Sequence, residues 1–189
     1  MKIKKVLWSK KYFANTQDKD CKEFLACIED LLKTKEIIEL DNFVQHMNTS
    51  RLQHSINVAY YSFLWAKKLG LDYRSVARAG LLHDLYLYDW KENKTDEHHA
   101  FRHPKEALKN ASSITTLSPI EEDAILNHMW PLSENKPKYK ESRILSHVDK
   151  YCAVIEVVDQ LYNKSSNLKA NITAVNSKAK AKVYSQNTN

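Results

Sequence analysis

Hydrophobic residues recur at helical spacing along the chain from about residue 19 onward. The pattern is clear over 19–33, continues weakly over 36–47, and is cleanest over 49–70. Thr49 or Ser50 can cap the start of the last segment, and Gly70 can take the left-handed position after its end. These segments predict helices in the first part of the chain.

The pattern continues beyond residue 70. Asp72 can cap a helix that carries its apolar stripe up to the doublet His83-Asp84. Residues 86–99 lose the period and predict a loop. Because proline is tolerated in a first helical turn, Pro104 predicts the start of a short helix ending near Ala111.

Two helices are predicted in the last part of the chain. Ser118-Pro119-Ile120-Glu121 has the form of a capping box with proline at the first helical position, which indicates a helix start. A loop over 131–140 leads to a long helix from about Glu141 to Leu161. The result is a bundle of six or seven helices, with no segment that alternates as a strand does.

Composition supports an all-α single domain. The chain has 189 residues, 43% of them hydrophobic, and only 2 glycines and 4 prolines, which are too few for the many tight turns of sandwiches and barrels. No apolar run approaches the roughly 20 residues needed to span a bilayer. Three cysteines without a CxxC spacing and the lack of a signal-peptide apolar region favour a cytoplasmic location.

The net charge of +6 comes from the two ends of the chain. Residues 1–11 carry five lysines, residues 162–189 carry five more, and neither segment has an acidic residue. The remaining body is therefore slightly acidic, which argues against a nucleic-acid-binding face. We expect a basic extension over 1–17, a helical domain over 18–163 and a polar, lysine-rich tail over 164–189 that is disordered or frayed.

Several of the eight histidines lie within apolar stretches, where an imidazole needs a hydrogen-bond partner or a metal ion. Together with two aspartates they fall on separate predicted helices, and bundles build metal sites from such residues. Imidazole and carboxylate suit first-row divalent metals. The candidate ligands are His54, His83, Asp84, His103, His128 and Asp149.

The order of these residues resembles the HD superfamily of metal-dependent phosphohydrolases over roughly residues 48–156. The similar segments are RLQHSINVAYYSFLWAKKLGLD, ARAGLLHDLYLYDW and HVDKYCAVIE. The resemblance implies a primary metal site at His54, His83, Asp84 and Asp149. His103 and His128 match the additional histidines of members that hold two ions. The resemblance also implies that Asp84 bridges the two ions and is a catalytic residue.

The resemblance does not fix the reaction. Leu87 stands where the cyclic-dinucleotide phosphodiesterases have a lysine, the Gly-Tyr-Pro motif of that branch is missing, and so is the glutamate of the 5′-nucleotidases. The six-ligand pattern also resembles the mixed-valent di-iron oxygenases of the superfamily. We expect a hydrolase that cleaves a small phosphorylated, nucleotide-like metabolite with metal-activated water. The alternatives are a di-iron oxygenase and a catalytically silent binding or signalling module.

Residues near the candidate ligands have open roles. Arg51 lies one turn before His54 and is expected, with Asp84, to be catalytic, because it can pair with a substrate phosphate; a structural role is the alternative. Lys150 follows Asp149 directly and is expected to point elsewhere on the helix. His46 and His99 are candidates for the surroundings of the site.

The sequence leaves the metal and the partners open. One or two divalent ions are expected, and Mn, Fe, Mg, Ni, Co and Zn are not distinguished. We expect a small phosphorylated substrate and neither membrane nor nucleic acid as a partner. A homodimer is plausible for a small helical protein, and the sequence is not expected to contain a heptad repeat that would identify its interface.

Overall fold

The computed structural model describes residues 18–89, 99–133 and 135–186, with side chains described as far as residue 164. The α-helices are α1 Lys19–Ile28, α2 Lys35–Glu39, α3 Arg51–Lys68, α4 Tyr73–Leu82, α5 His99–Ile114, α6 Pro119–Asn127 and α7 Lys140–Gln186. Single 3₁₀ turns lie at Leu31–Lys33 and Leu40–Asn42, and two short strands at β1 Val44–His46 and β2 Thr49–Ser50. The all-α prediction is confirmed.

Helices α3 and α4 form the centre of the domain. Ser50 caps α3 through the backbone N–H of Gln53, and Asp72 caps α4 through that of Ser75, as their sequences predict. The two helices approach closely at Gly80, where only a residue without a side chain fits. A Cβ at this position would lie 2.6 Å from the Cα of Ala59. Helices α1, α6 and α7 pack around this pair, and the buried core includes Phe24, Phe63 and Leu81 among its larger side chains.

The capping box of α6 is present in full. The Ser118 hydroxyl accepts from the Glu121 N–H, and the Glu121 carboxylate accepts from the Ser118 N–H, with Pro119 at the start of the helix. Gly70 has φ of 67° after the end of α3, as expected. Local signals therefore placed these helix ends correctly.

Three helix boundaries differ from those expected. The first helix ends at Ile28 and is followed by a 3₁₀ turn. Helix α5 begins at His99 rather than Pro104, and the proline lies near its start, where its missing N–H removes a single intrahelical bond. Helix α7 continues to Gln186, well past Leu161, because no glycine or proline interrupts the sequence after Pro137.

A small hairpin lies at the end of the segment 36–47, so the helix expected there is wrong for residues 44–46. Strands β1 and β2 pair antiparallel just before α3, with Met47 at φ of 51° in the turn. A strand of three residues is too short to show an alternating pattern, so no strand is predicted from this segment. The basic extension at 1–17, and most of the loop expected at 86–99, lie outside the described residues.

None of the described helices is both long enough and apolar enough to cross a membrane.

Candidate metal centre

The six candidate ligands come together in the middle of the bundle. His54 lies on α3, His83 and Asp84 directly follow α4, and His103 lies on α5. The remaining two are His128, which caps the end of α6, and Asp149 on α7. Five of the six are buried and Asp149 is largely so. Residues separated by up to 95 positions in the sequence therefore share one site.

A first group forms around Asp149. Its Oδ1 lies 3.1 Å from His54 Nε2 and 3.7 Å from His83 Nε2. His83 Nε2 is also 3.4 Å from Oδ2 of Asp84. These four residues are the set that the family resemblance implies for a primary ion.

A second group adjoins the first through the same Asp84 carboxylate. The other oxygen of Asp84, Oδ1, lies 3.4 Å from His103 Nε2 and 3.7 Å from His128 Nε2. The two histidine nitrogens are 2.8 Å apart. Asp84 thus offers one oxygen to each group, which is the arrangement of a bridging carboxylate.

The outer nitrogen of each histidine is held by an acceptor. Nδ1 of His83, His103 and His128 donates to the backbone carbonyls of Gly80, His99 and Ile125, at 2.8, 2.8 and 2.7 Å respectively. Nδ1 of His54 lies 3.0 Å from the Glu156 carboxylate. In His83, His103 and His128 a proton on Nδ1 directs the Nε2 lone pair inward, and metal-binding histidines are commonly oriented in this way.

Several of the inward atoms lack a partner among the residues that the structure describes. His83 Nε2 and Asp84 Oδ1 are buried and make no hydrogen bond among the described residues. Because Nδ1 carries the proton in both His103 and His128, their two Nε2 lone pairs face each other across 2.8 Å. Buried acceptors in this state are costly, and cations would satisfy them. The residues present therefore fit divalent metal ions.

The electrostatics of the two groups differ. Burial lowers the pKa of His54, but its hydrogen bonds with Asp149 and Glu156 outweigh this effect and raise the pKa to about 10. Burial raises the pKa of Asp84, yet the surrounding histidines, His83 above all, bring it below its usual value. Burial also lowers the pKa of His128 to about 3. The second group therefore keeps neutral imidazoles beside an ionised carboxylate, which is the state that metal binding requires.

Three polar residues that support the centre were not singled out from the sequence. Glu156 holds His54 and accepts from Asn57 Nδ2 at 2.7 Å. Gln45 Nε2 donates to Asp84 Oδ2 at 2.6 Å. Glu156 follows Asp149 by two helical turns, a spacing that could have revealed it, whereas Gln45 lies on a strand that the sequence did not predict.

The Arg51 side chain is held by several contacts within the protein, although its Nη2 makes no hydrogen bond among the described residues. It is fully buried, and its guanidinium donates to the carbonyls of Tyr86 and Tyr88 and, at 3.0 Å, to Gln45 Oε1. The group also lies 3.5 Å over the Tyr86 ring. These contacts fix the chain just after the His83-Asp84 doublet, so they favour the structural alternative over a contact with substrate phosphate.

A cavity of about 300 Å³ opens onto the second group. Its lining includes Asp84, His103, His128 and Asp149, with apolar walls from Met129, Leu132 and Ala153. Lys150 also lines it, contrary to expectation, because its Nζ folds back onto the His128 carbonyl at 3.0 Å. His46 and His99 are at the same cavity, whereas His147 is exposed.

The fold and this site together define an all-α protein with a buried His/Asp cluster suited to divalent metals. A family model for the HD domain matches residues 51–154, which is more than half of the chain. The chain therefore belongs to the HD domain family. This family is part of the superfamily of metal-dependent phosphohydrolases. No match was found among the curated proteins or among the solved structures. The matched span contains all six candidate ligands, while Gln45 and Glu156 lie outside it.

Proposed function

We propose that this protein is a metal-dependent phosphohydrolase that cleaves a phosphate ester of a nucleotide-like or other small phosphorylated metabolite. The observation that carries the proposal is the position of Asp84 between two ligand groups, with Oδ2 near His83 and Oδ1 near His103. Membership of the HD family supports the same reaction class. Two adjoining cation sites are a common arrangement for phosphate-ester hydrolysis.

His54, His83, Asp84 and Asp149 would hold a primary ion, and Asp84, His103 and His128 a second one. Such ions supply an activated water near neutral pH and neutralise charge on the phosphoryl group. The donor set of imidazole and carboxylate accepts Mn, Fe, Mg, Ni, Co or Zn, so the ion is a matter for measurement.

The cavity beside the centre has features that suit such a substrate. Lys150 places a positive charge at the wall that would attract a phosphate group, while its Nζ donates to the carbonyls of His128 and Ser146 and to the Ser146 hydroxyl. Met129, Leu132 and Ala153 offer an apolar surface for the organic part. A volume of about 300 Å³ is at the small end of ligand cavities, so it favours a small metabolite over a polymer.

The first measurement is metal identity and stoichiometry by mass spectrometry, on protein purified without chelators or an affinity metal. We expect two ions per chain. One ion would confine the centre to His54, His83, Asp84 and Asp149. If no ion is bound after purification or on titration, the hydrolase proposal fails and a binding module becomes the better account.

The second measurement is phosphate release from a panel of small phosphate esters. His83→Ala and Asp84→Ala should each abolish release and leave the helical content nearly unchanged by circular dichroism. His147→Ala is the matched control, because this histidine is exposed on α7, and it should keep full activity. Retained activity in either ligand variant would contradict the proposal. Bound iron with O₂ consumption and a mixed-valent signal in electron paramagnetic resonance would instead identify an oxygenase.

A further inference from the structure

The outward face of α7 is apolar although it faces solvent. Tyr151, Val154, Val158 and Leu161 are 49%, 61%, 47% and 52% exposed. The opposite face of the same helix carries the buried Val148 and Cys152 and the site residue Asp149. Helix α7 therefore has an inner face that completes the domain and an outer apolar stripe that is largely exposed, although Tyr151 contacts Tyr61 of α3.

The stripe follows a seven-residue repeat. Its members alternate at spacings of three and four, with Tyr151 and Val158 at the a positions and Val154 and Leu161 at the d positions. The sequence continues the register with Ser165, Leu168, Ile172, Val175 and Ala179. The helix itself continues to Gln186, so a single helix carries the repeat over four heptads. Heptads of this length are typical of coiled coils.

The helix leaves the domain body near residue 161. Gln160 still bonds to the hairpin through Thr49 Oγ1 at 2.8 Å. The following complete turn, residues 161–164, is exposed on every side. The remaining 22 residues of the helix, up to Gln186, span about 33 Å at 1.5 Å per residue. A helix of this kind is marginal in water unless its apolar stripe is covered.

We propose that the outer stripe of α7 pairs with the same stripe of a second copy of this chain, as a parallel two-stranded coiled coil. Two of the five a positions are β-branched (Val158, Ile172) and two of the four d positions are leucine (Leu161, Leu168). This combination favours parallel dimers. The patch also continues onto the domain, where the Tyr61 ring lies 6.0 Å from that of Tyr151 and Trp65 is 55% exposed. This pairing is independent of the metal centre.

The charged residues beside the stripe predict how the stability of the dimer depends on salt concentration. In a parallel dimer the g position Lys164 of one chain faces the e position Lys169 of the other. Like charges repel at such positions, and salt screens the repulsion. The dissociation constant of the dimer should therefore fall as salt is added. Binding of these lysines to an anionic membrane would instead become weaker as salt is added.

The test is the mass of the full chain by sedimentation equilibrium over a range of concentrations and salt. We expect about twice the chain mass of 22.0 kDa, with a dissociation constant that falls as salt rises. Leu161→Lys should raise that constant at least tenfold. Asn163→Lys adds the same charge on the outermost position of the same turn and should leave the dimer intact. Neither variant should change metal content, so failure here is separable from failure of the proposed function.

Orientation is tested by introducing a single cysteine. The three native cysteines are buried, so Leu161→Cys provides an accessible thiol at the stripe. In a glutathione redox buffer it should form a disulfide between two chains, because d residues adjoin in a parallel pair, whereas Asn163→Cys should not. A chain that stays monomeric at every concentration overturns the proposal, as does a dimer without this crosslink. Co-sedimentation of a monomer with vesicles of anionic lipid would assign the stripe to a membrane surface instead.

Discussion

Gly80 sets the distance between α3, which carries His54, and α4, which His83 directly follows. A Cβ at this position would lie 2.6 Å from the Ala59 Cα, 2.8 Å from its N and 3.2 Å from its Cβ. Carbon atoms normally pack at about 3.5–4.0 Å. Because two of the obstructing atoms are backbone, no side-chain rotation can relieve the clash. We expect Gly80→Ala to force α3 and α4 apart by roughly 1 Å, which is the difference between these distances.

The expected free-energy change has two opposing parts. Overpacking a tight core costs about 1–3 kcal/mol, and a backbone clash belongs at the upper end of that range. Replacing glycine by alanine within a helix would by itself gain about 1 kcal/mol. The free energy of unfolding should therefore fall by about 2 kcal/mol, corresponding to a melting temperature about 4–8 °C lower for a domain of this size.

The same displacement should affect the metal centre. His83 follows Gly80 by three residues and bonds to its carbonyl, so separation of the helices moves His83 relative to His54. If the centre binds Mn²⁺ as proposed, Mn²⁺ should raise the melting temperature of the wild type, and this rise should be smaller in Gly80→Ala. Thermal unfolding with and without Mn²⁺ measures both effects.

Gly70→Ala is the matched control. A Cβ at Gly70 meets no atom within 4 Å, but its φ of 67° strains any other residue by about 1–2 kcal/mol. This variant should lose stability and keep the full Mn²⁺ effect. The reasoning is refuted if Gly80→Ala is as stable as the wild type, or if the two variants lose the Mn²⁺ effect equally.

Three further predictions test the local structure. Arg51→Met leaves the Tyr86 carbonyl unpaired and should lower the free energy of unfolding by about 3 kcal/mol, as measured by urea titration. A variant that keeps full stability and loses only the binding of inorganic phosphate would instead support a role of Arg51 in substrate binding. Ser118→Ala removes the capping box of α6 and should cost about 1 kcal/mol by the same titration; no change would contradict the cap. Burial raises the pKa of the Cys152 thiol, so iodoacetamide at pH 9 should label this cysteine only after unfolding. Mass spectrometry measures the labelling. Rapid labelling of the native protein would contradict the burial of Cys152.

The sequence predicted helix ends best where a local signal is complete. Ser50, Asp72 and Ser118 each cap a helix through a backbone N–H three residues away, so a short stretch of sequence contains the whole interaction. Helix α7 continues past the expected end at Leu161, where the polar composition suggests a disordered or frayed tail without a heptad repeat. That repeat becomes informative once the helix is known to continue.

The candidate site was predicted in its members and not in its geometry. The order of His54, His83, Asp84 and the later ligands resembles a known family, and the structure brings all six residues together. The distances between them depend on how α3 to α7 pack. The burial of Arg51 and the turn of Lys150 into the cavity follow from neighbours far away in the chain.

By itself, the sequence determined the helical class, most of the caps and the residues with metal-binding chemistry, because each depends on residues within a few turns. Only the tertiary structure decided that Asp84 lies between two ligand groups, that Gln45 contacts it from a hairpin, and that Glu156 holds His54 from 102 residues away. These contacts depend on packing between distant segments, and the pattern within any one segment does not contain that information.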